Sequence, residues 1–156
     1  MDHKEIGMLF NADMVRAILA GRKTQTRRFY AGNKVFQHRQ PAHIGDMVYV
    51  RECWLRLPDG KYEYRADYPE RSFWVKSRKW HPSLHMPKAA ARIWLRVTAC
   101  LVQRACDITE DEARDEGVSL AEGETSYREA FKRVWCAIYG AESWTMYAYV
   151  IVFERV

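Results

Sequence analysis

The sequence lacks long hydrophobic runs. None of its apolar stretches approaches the roughly 18 residues that a membrane-spanning helix needs, and its first residues carry Asp2 and Glu5 instead of the apolar core of a secretory signal. Internal repeats and low-complexity tracts are also missing. Since 156 residues fit one domain, we expect a single soluble domain over residues 1–156 that is cytoplasmic and has no membrane partner.

Cysteine is scarce and is not spaced for metal binding. The four cysteines are Cys53, Cys100, Cys106 and Cys136. None belongs to a CxxC pair, and no histidine lies at zinc-finger spacing from them. This pattern predicts reduced thiols, no metal site and no cofactor.

Acidic residues are missing from two long segments. Residues 16–45 contain seven Lys and Arg and no Asp or Glu, and residues 68–96 contain seven against Glu70 alone. Residues 107–129 reverse the sign, with nine acids against two Arg. Such segregation predicts a basic face that attracts a polyanion; the alternative is a solvated surface with no binding role.

Aromatic residues accompany the second basic segment. They are Tyr62, Tyr64, Tyr68, Phe73, Trp74 and Trp80. Bases stack on aromatic rings while Arg and Lys pair with phosphates, so the mixture favours single-stranded or flipped-out nucleotides. The alternative is that these rings are core material.

The first half of the chain predicts a strand, a helix and a second extended segment. Residues 7–10 are typical of a strand, and Asn11 is a good N-cap for a helix over residues 12–20. Gly21 suits the position after the helix, where a left-handed backbone is needed. An extended segment over residues 23–28 follows.

The middle of the chain predicts loops and a hairpin. Residues 30–44 lack periodicity and are expected to form a loop. Residues 47–54 are rich in strand formers, and residues 61–65 are the expected partner strand across a Pro-Asp-Gly turn. The proline-rich segment 66–90 is long for a structureless connection and is expected to be functional or mobile.

The last third predicts a long strand over residues 92–106, two helices and a closing strand over residues 146–154. A capping box at Thr109 opens the first helix, and the second, over residues 126–140, has an apolar stripe that we assign to the core. The elements indicate a mixed α/β (α+β) domain around a barrel-like sheet of about five to seven strands, with one N-terminal and two later helices.

The sequence GRKTQTRR, residues 21–28, resembles the hallmark of the ASCH domain family, whose fold is a PUA-like β-barrel. Other segments resemble that family in the same order: Gly45-Asp46 before a strand, Val97-Thr98-Ala99 on a long strand, and a closing strand over residues 150–156. Three segments resemble the phage and prophage branch of the family in particular: residues 50–54, 64–67 and 82–87.

The resemblance implies recognition of RNA or of a modified nucleoside or nucleotide. One branch of the family hydrolyses N4-acetylcytidine with a Lys, a Thr and a Glu, and the first two correspond to Lys23 and Thr26. The position of the Glu is Arg96 here, which cannot accept a proton. Glu52 is a candidate replacement, and the alternative is that Glu52 forms an ion pair with Arg51 or Arg65.

Two alternatives bear on Lys23. Residues three apart point to opposite faces of a regular strand, so Lys23 and Thr26 converge only if the chain turns or bulges between them. Lys23 is otherwise a cation that stabilises a helix C-terminus.

Two further functions stay open: a ribonuclease, as other members of the family are described, and a binding module without chemistry. The protein is expected to be a monomer or a weak homodimer. His81 and His85 are separated by Pro82 and are assigned to loop surface instead of a metal site. The candidate nucleic-acid-binding residues are Arg22, Arg27, Arg28, Arg51, Trp54, Tyr64, Arg65, Lys79, Trp80, His85 and Arg96.

Overall fold

A computed structural model describes residues 2–30 and 40–156 as seven strands and four α-helices. The strands are β1 (Glu5–Leu9), β2 (Gln25–Phe29), β3 (Met47–Arg51), β4 (Trp54–Arg56), β5 (Tyr62–Tyr64), β6 (Trp94–Arg104) and β7 (Tyr147–Arg155). The helices are α1 (Ala12–Leu19), α2 (Phe73–Ser77), α3 (Glu110–Asp115) and α4 (Tyr127–Tyr139). Short 3₁₀ turns connect them.

Five strands form one sheet in the order β1-β3-β6-β7-β2, and β4 and β5 form a separate hairpin. β1 and β3 are parallel, while the other neighbours are antiparallel. The edge strands β1 and β2 are linked by one side-chain hydrogen bond, in which Arg28 Nη2 donates to Leu9 O at 2.7 Å. The expected mixed α+β fold with five to seven strands is confirmed, although the described residues do not form a closed barrel, because no backbone ladder joins β1 to β2.

The buried residues form two hydrophobic clusters. The first packs α1 against β1, β3, β6 and β7, with Val15, Val50 and Leu95 completely buried. The second packs α3 against α4, around Phe131 and Trp135. Met14 on α1 contacts both clusters, so the junction of the two clusters lies beside the first turns of α1.

The predicted helix boundaries are confirmed by their caps. Asn11 Oδ1 accepts from Met14 N at 2.9 Å, and Gly21 follows α1 with a φ of 76°. Thr109 and Glu112 form the predicted capping box of α3. The long strand predicted over residues 92–106 is present as β6, in which Leu95 and Val97 are buried and Arg96 and Thr98 are exposed.

One prediction for the middle of the chain needs correction. The strand expected over residues 47–54 ends at Arg51, because Trp54 turns away to pair with Tyr64 in the second sheet. The 66–90 segment, which is long for a structureless connection, contains α2 and two 3₁₀ turns, at Ser83–His85 and Lys88–Ala90. Most of the loop predicted over residues 30–44 lies outside the described residues.

Across residues 2–30 and 40–156, no helix has the length and apolar character needed to cross a membrane.

Candidate functional site

A cavity of about 160 Å³ opens at the junction of the two hydrophobic clusters. It is lined by residues from the end of β1, the start of α1, β2, the end of α3 and one face of α4. Its polar lining residues are Asn11, Lys23, Thr26, Arg27, Arg28 and Glu116, and its aromatic ones are Phe10, Phe131, Trp135 and Tyr139. Four of the residues that the sequence singled out therefore line one cavity: Lys23, Thr26, Arg27 and Arg28.

Lys23 and Thr26 share the cavity because the chain turns before β2 begins. Gly21 has a positive φ, and the amides of Arg22 and Lys23 both donate to Ala17 O at the end of α1. Lys23 therefore precedes the regular strand, and the strand alternation that would separate it from Thr26 does not apply. The turn that sequence geometry required is present.

The Lys23 ammonium is buried and fully hydrogen-bonded. Its Nζ donates to Gln25 O at 2.8 Å, to Glu116 O at 2.9 Å and to Glu116 Oε2 at 3.3 Å. Glu116 is the C-cap of α3, so Lys23 stabilises the C-terminus of α3. Burial lowers the pKa of the Lys23 ammonium, and Glu116 opposes that shift.

Glu116 also holds Arg27. Its Oε1 accepts from Arg27 Nη1 at 2.8 Å, and both residues are 5% exposed or less. Arg27 Nη2 lies 3.1 Å from Gln103 Oε1 and 3.3 Å from Glu112 Oε2. One buried carboxylate thus bridges two cations at the cavity wall, and Glu112 supplies a second negative charge beside Arg27.

Three nitrogen donors around the cavity have no hydrogen-bond partner within the described part of the chain. They are Arg27 Nε, Arg28 Nε and Trp135 Nε1, all of them buried. A buried donor without an acceptor costs about 1–3 kcal/mol. The residues that line the cavity therefore carry hydrogen-bonding capacity that the described part of the chain leaves unused.

Aromatic rings supply the other walls. Trp135 and Tyr139 have ring centroids 4.5 Å apart, and Phe131 lies 5.8 Å from Trp135. On the opposite side, the Arg28 guanidinium lies 4.9 Å from the centroid of Phe10. Flat surfaces beside free donors suit a planar ligand with carbonyl or anionic oxygens.

The Thr26 hydroxyl takes part in none of the hydrogen bonds formed by the described residues, although Thr26 is only 5% exposed. Its backbone pairs with Ile151 of β7. The hydroxyl is therefore free to donate to, or attack, a group held in the cavity.

Glu52 does not join this cluster. It is 1% exposed, and its two carboxylate oxygens accept from Arg92 Nη2 at 2.9 Å and Arg92 Nε at 3.0 Å. Arg92 also pairs with Asp67 and lies 4.1 Å over the Tyr64 ring. Burial raises the pKa of the Glu52 carboxyl, and Arg92 opposes the shift. The expected ion pair of Glu52 thus exists, but with Arg92 instead of Arg51 or Arg65.

The remaining candidate residues lie away from the cavity lining. Arg96 is half-exposed on the outer side of β6 and pairs with Glu154 across the ladder. Arg51 donates to the carbonyls of Leu84 and Met86, and Arg65 pairs with Glu70.

Four further candidates lie on or beside the 66–90 segment. The Trp54 ring lies 4.8 Å from the His81 ring, centroid to centroid, with the two planes tilted by 34°, and Trp80 Nε1 donates to Val75 O. Lys79 and His85 are exposed, as is His81.

Arg22 faces a separate groove beside Arg114 and Tyr127. Its Nη1 donates to Gly117 O at 3.4 Å. Arg22 therefore lies on the outer side of the turn whose next residue, Lys23, points into the cavity.

Sequence reasoning missed two parts of the site. Glu116 is separated from Lys23 by more than ninety residues, so no local spacing reveals the pair; its one signal is its position three residues after the buried Ala113, on the same face of the helix. The second part is α4, whose stripe was assigned wholly to the core. Phe131 and Trp135 are buried but also line the cavity, and Ile138 is 63% exposed.

No group of three or more His, Cys, Asp or Glu side chains among residues 2–30 and 40–156 is arranged to hold a metal ion. All four cysteines are free thiols.

No protein-family model matches this chain, and no curated protein gives a significant sequence match. Solved structures do match it. An ASCH domain from Lactobacillus crispatus JV V101 superposes with a TM-score of 0.53 at 15% identity, over 97% of this chain and 79% of that one.

Two other structures are similar at 15% identity. Protein EF3133 from Enterococcus faecalis V583, described with the family DUF984, gives a TM-score of 0.51 over 100% of this chain and 78% of that one. The hypothetical protein PH0355 gives 0.51 over 97% and 99%. The fold of this chain is therefore that of an ASCH domain.

Proposed function

We propose that this chain, which has the fold of an ASCH domain, belongs to that family and takes one unstacked base of RNA, or a modified nucleoside, into the cavity at Lys23 and Thr26. The observation that carries the proposal is the set of three buried, unpartnered donors beside aromatic walls. The sequence motif of residues 21–28, which lines this same cavity, gives independent support.

A nucleobase meets the requirements of the cavity. Its flat ring packs on aromatic side chains, and its carbonyl and ring-nitrogen acceptors satisfy guanidinium and indole N–H groups. A cavity of about 160 Å³ is too small for an oligonucleotide. The base must therefore be splayed out from its strand, which is how proteins read single-stranded RNA.

A second candidate function is hydrolysis of an acylated base, and the free Thr26 hydroxyl favours it. In this scheme Lys23 acts as the neutral amine, the form that its burial favours. Thr26 Oγ1 attacks the acyl carbonyl while Lys23 Nζ takes the hydroxyl proton; the bond between the acyl carbon and the nitrogen then breaks, and the amine of the base leaves with the proton that Lys23 returns. Water would then release the acyl group from Thr26. Glu116 is a positioning residue in this scheme, because it holds Lys23 at 3.3 Å without lying at the reacting atoms.

Binding is tested by calorimetric titration of cytidine, N4-acetylcytidine and a short single-stranded RNA into the wild type and into Trp135→Phe. The Phe ring keeps the aromatic wall and removes the Nε1 donor, so affinity for a base should fall about tenfold while the fold is kept. Trp94→Phe, outside the cavity lining, is the matched control. Equal affinities of wild type and Trp135→Phe for every ligand would contradict the cavity as the binding site.

Hydrolysis is tested with Thr26→Val, which keeps the shape of the side chain and removes only the hydroxyl. If the domain is an amidohydrolase, Thr26→Val should stop release of cytidine from N4-acetylcytidine, and Thr24→Val, which alters an exposed neighbour, should not. Chromatography of the products measures both. Cytidine release that survives Thr26→Val would exclude this mechanism, and binding without turnover in the wild type would leave a non-catalytic reader.

A further inference from the structure

The surface of the 66–90 segment carries exposed aromatic side chains. Phe73 is 71% exposed and Trp74 is 49% exposed, and both lie on the five-residue helix α2. Their rings meet edge to face at 5.7 Å, and the Arg78 guanidinium lies 4.7 Å from the Trp74 centroid. α2 has no buried residue, so packing against the core does not account for these rings.

The charges around these rings are unbalanced. The three acids between residues 61 and 96 are all paired: Glu63 with Arg78, Asp67 with Arg92, and Glu70 with Arg16 and Arg65. Three cations of the same segment, Arg71, Lys76 and Lys79, are exposed and take part in none of the ion pairs found among the described residues. We call Arg71, Phe73, Trp74, Lys76 and Lys79 the α2 patch. Its free charge is positive only.

The α2 patch is linked to the cavity through α1. Asn11 and Met14, around the first turn of α1, line the cavity. Arg16, two residues after Met14, donates to Ala66 O and to Tyr68 O and pairs with Glu70, just before the patch begins. A helix rises 1.5 Å per residue, so Asn11 and Arg16 are separated by about 7.5 Å along α1, and Arg16 joins this helix to the chain that leads into the patch.

We propose that the α2 patch binds the single-stranded segment that flanks the base held in the cavity. Phe73 and Trp74 stack on its bases, and Arg71, Lys76 and Lys79 contact its phosphates. This inference rests on the proposed function and narrows it: the substrate is an oligonucleotide instead of a free nucleoside. A patch of exposed rings among unpaired cations is complementary to a polyanion with π-faces. Anionic lipid surfaces are bound by longer amphipathic helices that carry rings and cations on separate faces, whereas α2 has only five residues.

The test compares two ligands with two surfaces. An oligoribonucleotide of about eight nucleotides, within the range that one small domain covers, and the corresponding nucleoside are titrated into the wild type, Phe73→Ala/Trp74→Ala and Trp135→Phe. Loss of the two stacking rings should weaken oligonucleotide binding by about tenfold or more and leave nucleoside binding unchanged. Tyr147→Ala is the matched control, since Tyr147 is 47% exposed and lies beside Arg104 but outside the patch.

The outcomes separate the two proposals. If Phe73→Ala/Trp74→Ala keeps the wild-type affinity for the oligonucleotide, the α2 patch is not its binding surface, whatever the cavity binds. If the double variant loses affinity for vesicles containing phosphatidylserine, or sediments differently from wild type, while oligonucleotide affinity is unchanged, the patch is a lipid or protein contact and the inference is overturned. If Trp135→Phe has no effect on the nucleoside while the patch variant weakens the oligonucleotide, the patch stands and the cavity assignment fails.

Discussion

At the scale of single residues, the site depends on one buried carboxylate that the sequence did not reveal. Glu116 accepts from Lys23 and Arg27, and these three side chains exclude water from one another. The residues of the motif at 21–28 could be predicted because they are contiguous. Their partner could not, because a contact between distant elements leaves no local spacing in the chain.

The first prediction concerns Glu116→Gln. The change removes the carboxylate that pairs with Lys23 and the nearer of the two that pair with Arg27, so the free energy of unfolding should fall by about 3–5 kcal/mol. Urea denaturation measures the loss. Glu154→Gln, which breaks the exposed pair with Arg96, should cost less than about 1 kcal/mol. Similar losses in the two variants would show that Glu116 is not a buried ionic hub.

A second prediction concerns the pH dependence due to Glu52. Burial raises the pKa of its carboxyl above the ordinary 4.5, so the native state binds this proton more tightly than the unfolded chain does. The contribution of Glu52 to stability is then complete below pH 4.5 and is lost as the pH rises through the folded-state pKa.

The measurement is urea denaturation of the wild type and of Glu52→Gln at a series of pH values from about 4, near the ordinary pKa of a glutamate, toward neutrality. The difference in free energy of unfolding, wild type minus variant, should decrease as the pH rises. A difference that instead grows with pH would mean that Arg92 outweighs burial. The variant Glu154→Gln serves again as an exposed control.

At the scale of elements, the end of α3 is held by the segment that enters β2. Lys23 Nζ donates to Glu116 O, Thr24 N donates to Asp115 O, and Gln25 Nε2 donates to Glu112 O at 2.6 Å. The first two contacts satisfy carbonyls that a helix C-terminus leaves free, and the third adds a second donor to Glu112 O, which already accepts from Glu116 N. The capping box and the terminal Gly117 were predictable from local rules, whereas the partner of the helix end depends on tertiary packing.

Gly117→Ala is the prediction at this scale. Gly117 has a φ of 80°, and an added Cβ would lie 2.7 Å from Lys23 Cβ and 2.8 Å from Ala17 Cβ. The free energy of unfolding of the variant should fall by roughly 1–2 kcal/mol because a non-glycine residue is forced into a left-handed backbone, and by about 1–3 kcal/mol more because the added methyl group overpacks the site. It should also weaken ligand binding, because Glu116 and Lys23 are pushed apart. Thermal unfolding and nucleoside titration measure the two effects.

Gly123→Ala separates the backbone strain from the clash. Gly123 has a φ of 83°, but nothing lies within 4 Å of an added Cβ. The free energy of unfolding of this variant should fall only by the cost of the left-handed backbone, and the variant should bind ligand as the wild type does. Equal losses in both variants would mean that the approach of Gly117 to Lys23 does not limit the packing of α3.

At the scale of the whole molecule, the charge segregation read from the sequence has two different origins. In the acidic 107–129 segment several carboxylates are structural: Glu116 and Glu112 hold Arg27, and Glu110 accepts the amides that open α4. In the basic 68–96 segment four cations are paired, which leaves the α2 patch as the free positive surface. Composition therefore predicted the sign of the surface but not which charges are free.

The last prediction follows from that distinction. Binding of a single-stranded oligonucleotide should weaken linearly in a plot of log affinity against log salt concentration, with a slope of about −0.7 for each phosphate contacted. The variant Lys76→Gln/Lys79→Gln loses two phosphate contacts at about 0.7 each, so its slope should be shallower by about 1.4. Lys132→Gln on α4 changes an equally exposed cation that stacks on Trp144, and it should leave the slope unchanged. Equal slopes in all three proteins would place the phosphate contacts elsewhere on the surface. A wild-type affinity that does not respond to salt would exclude binding of a polyanion, because counterion release accompanies every phosphate contact.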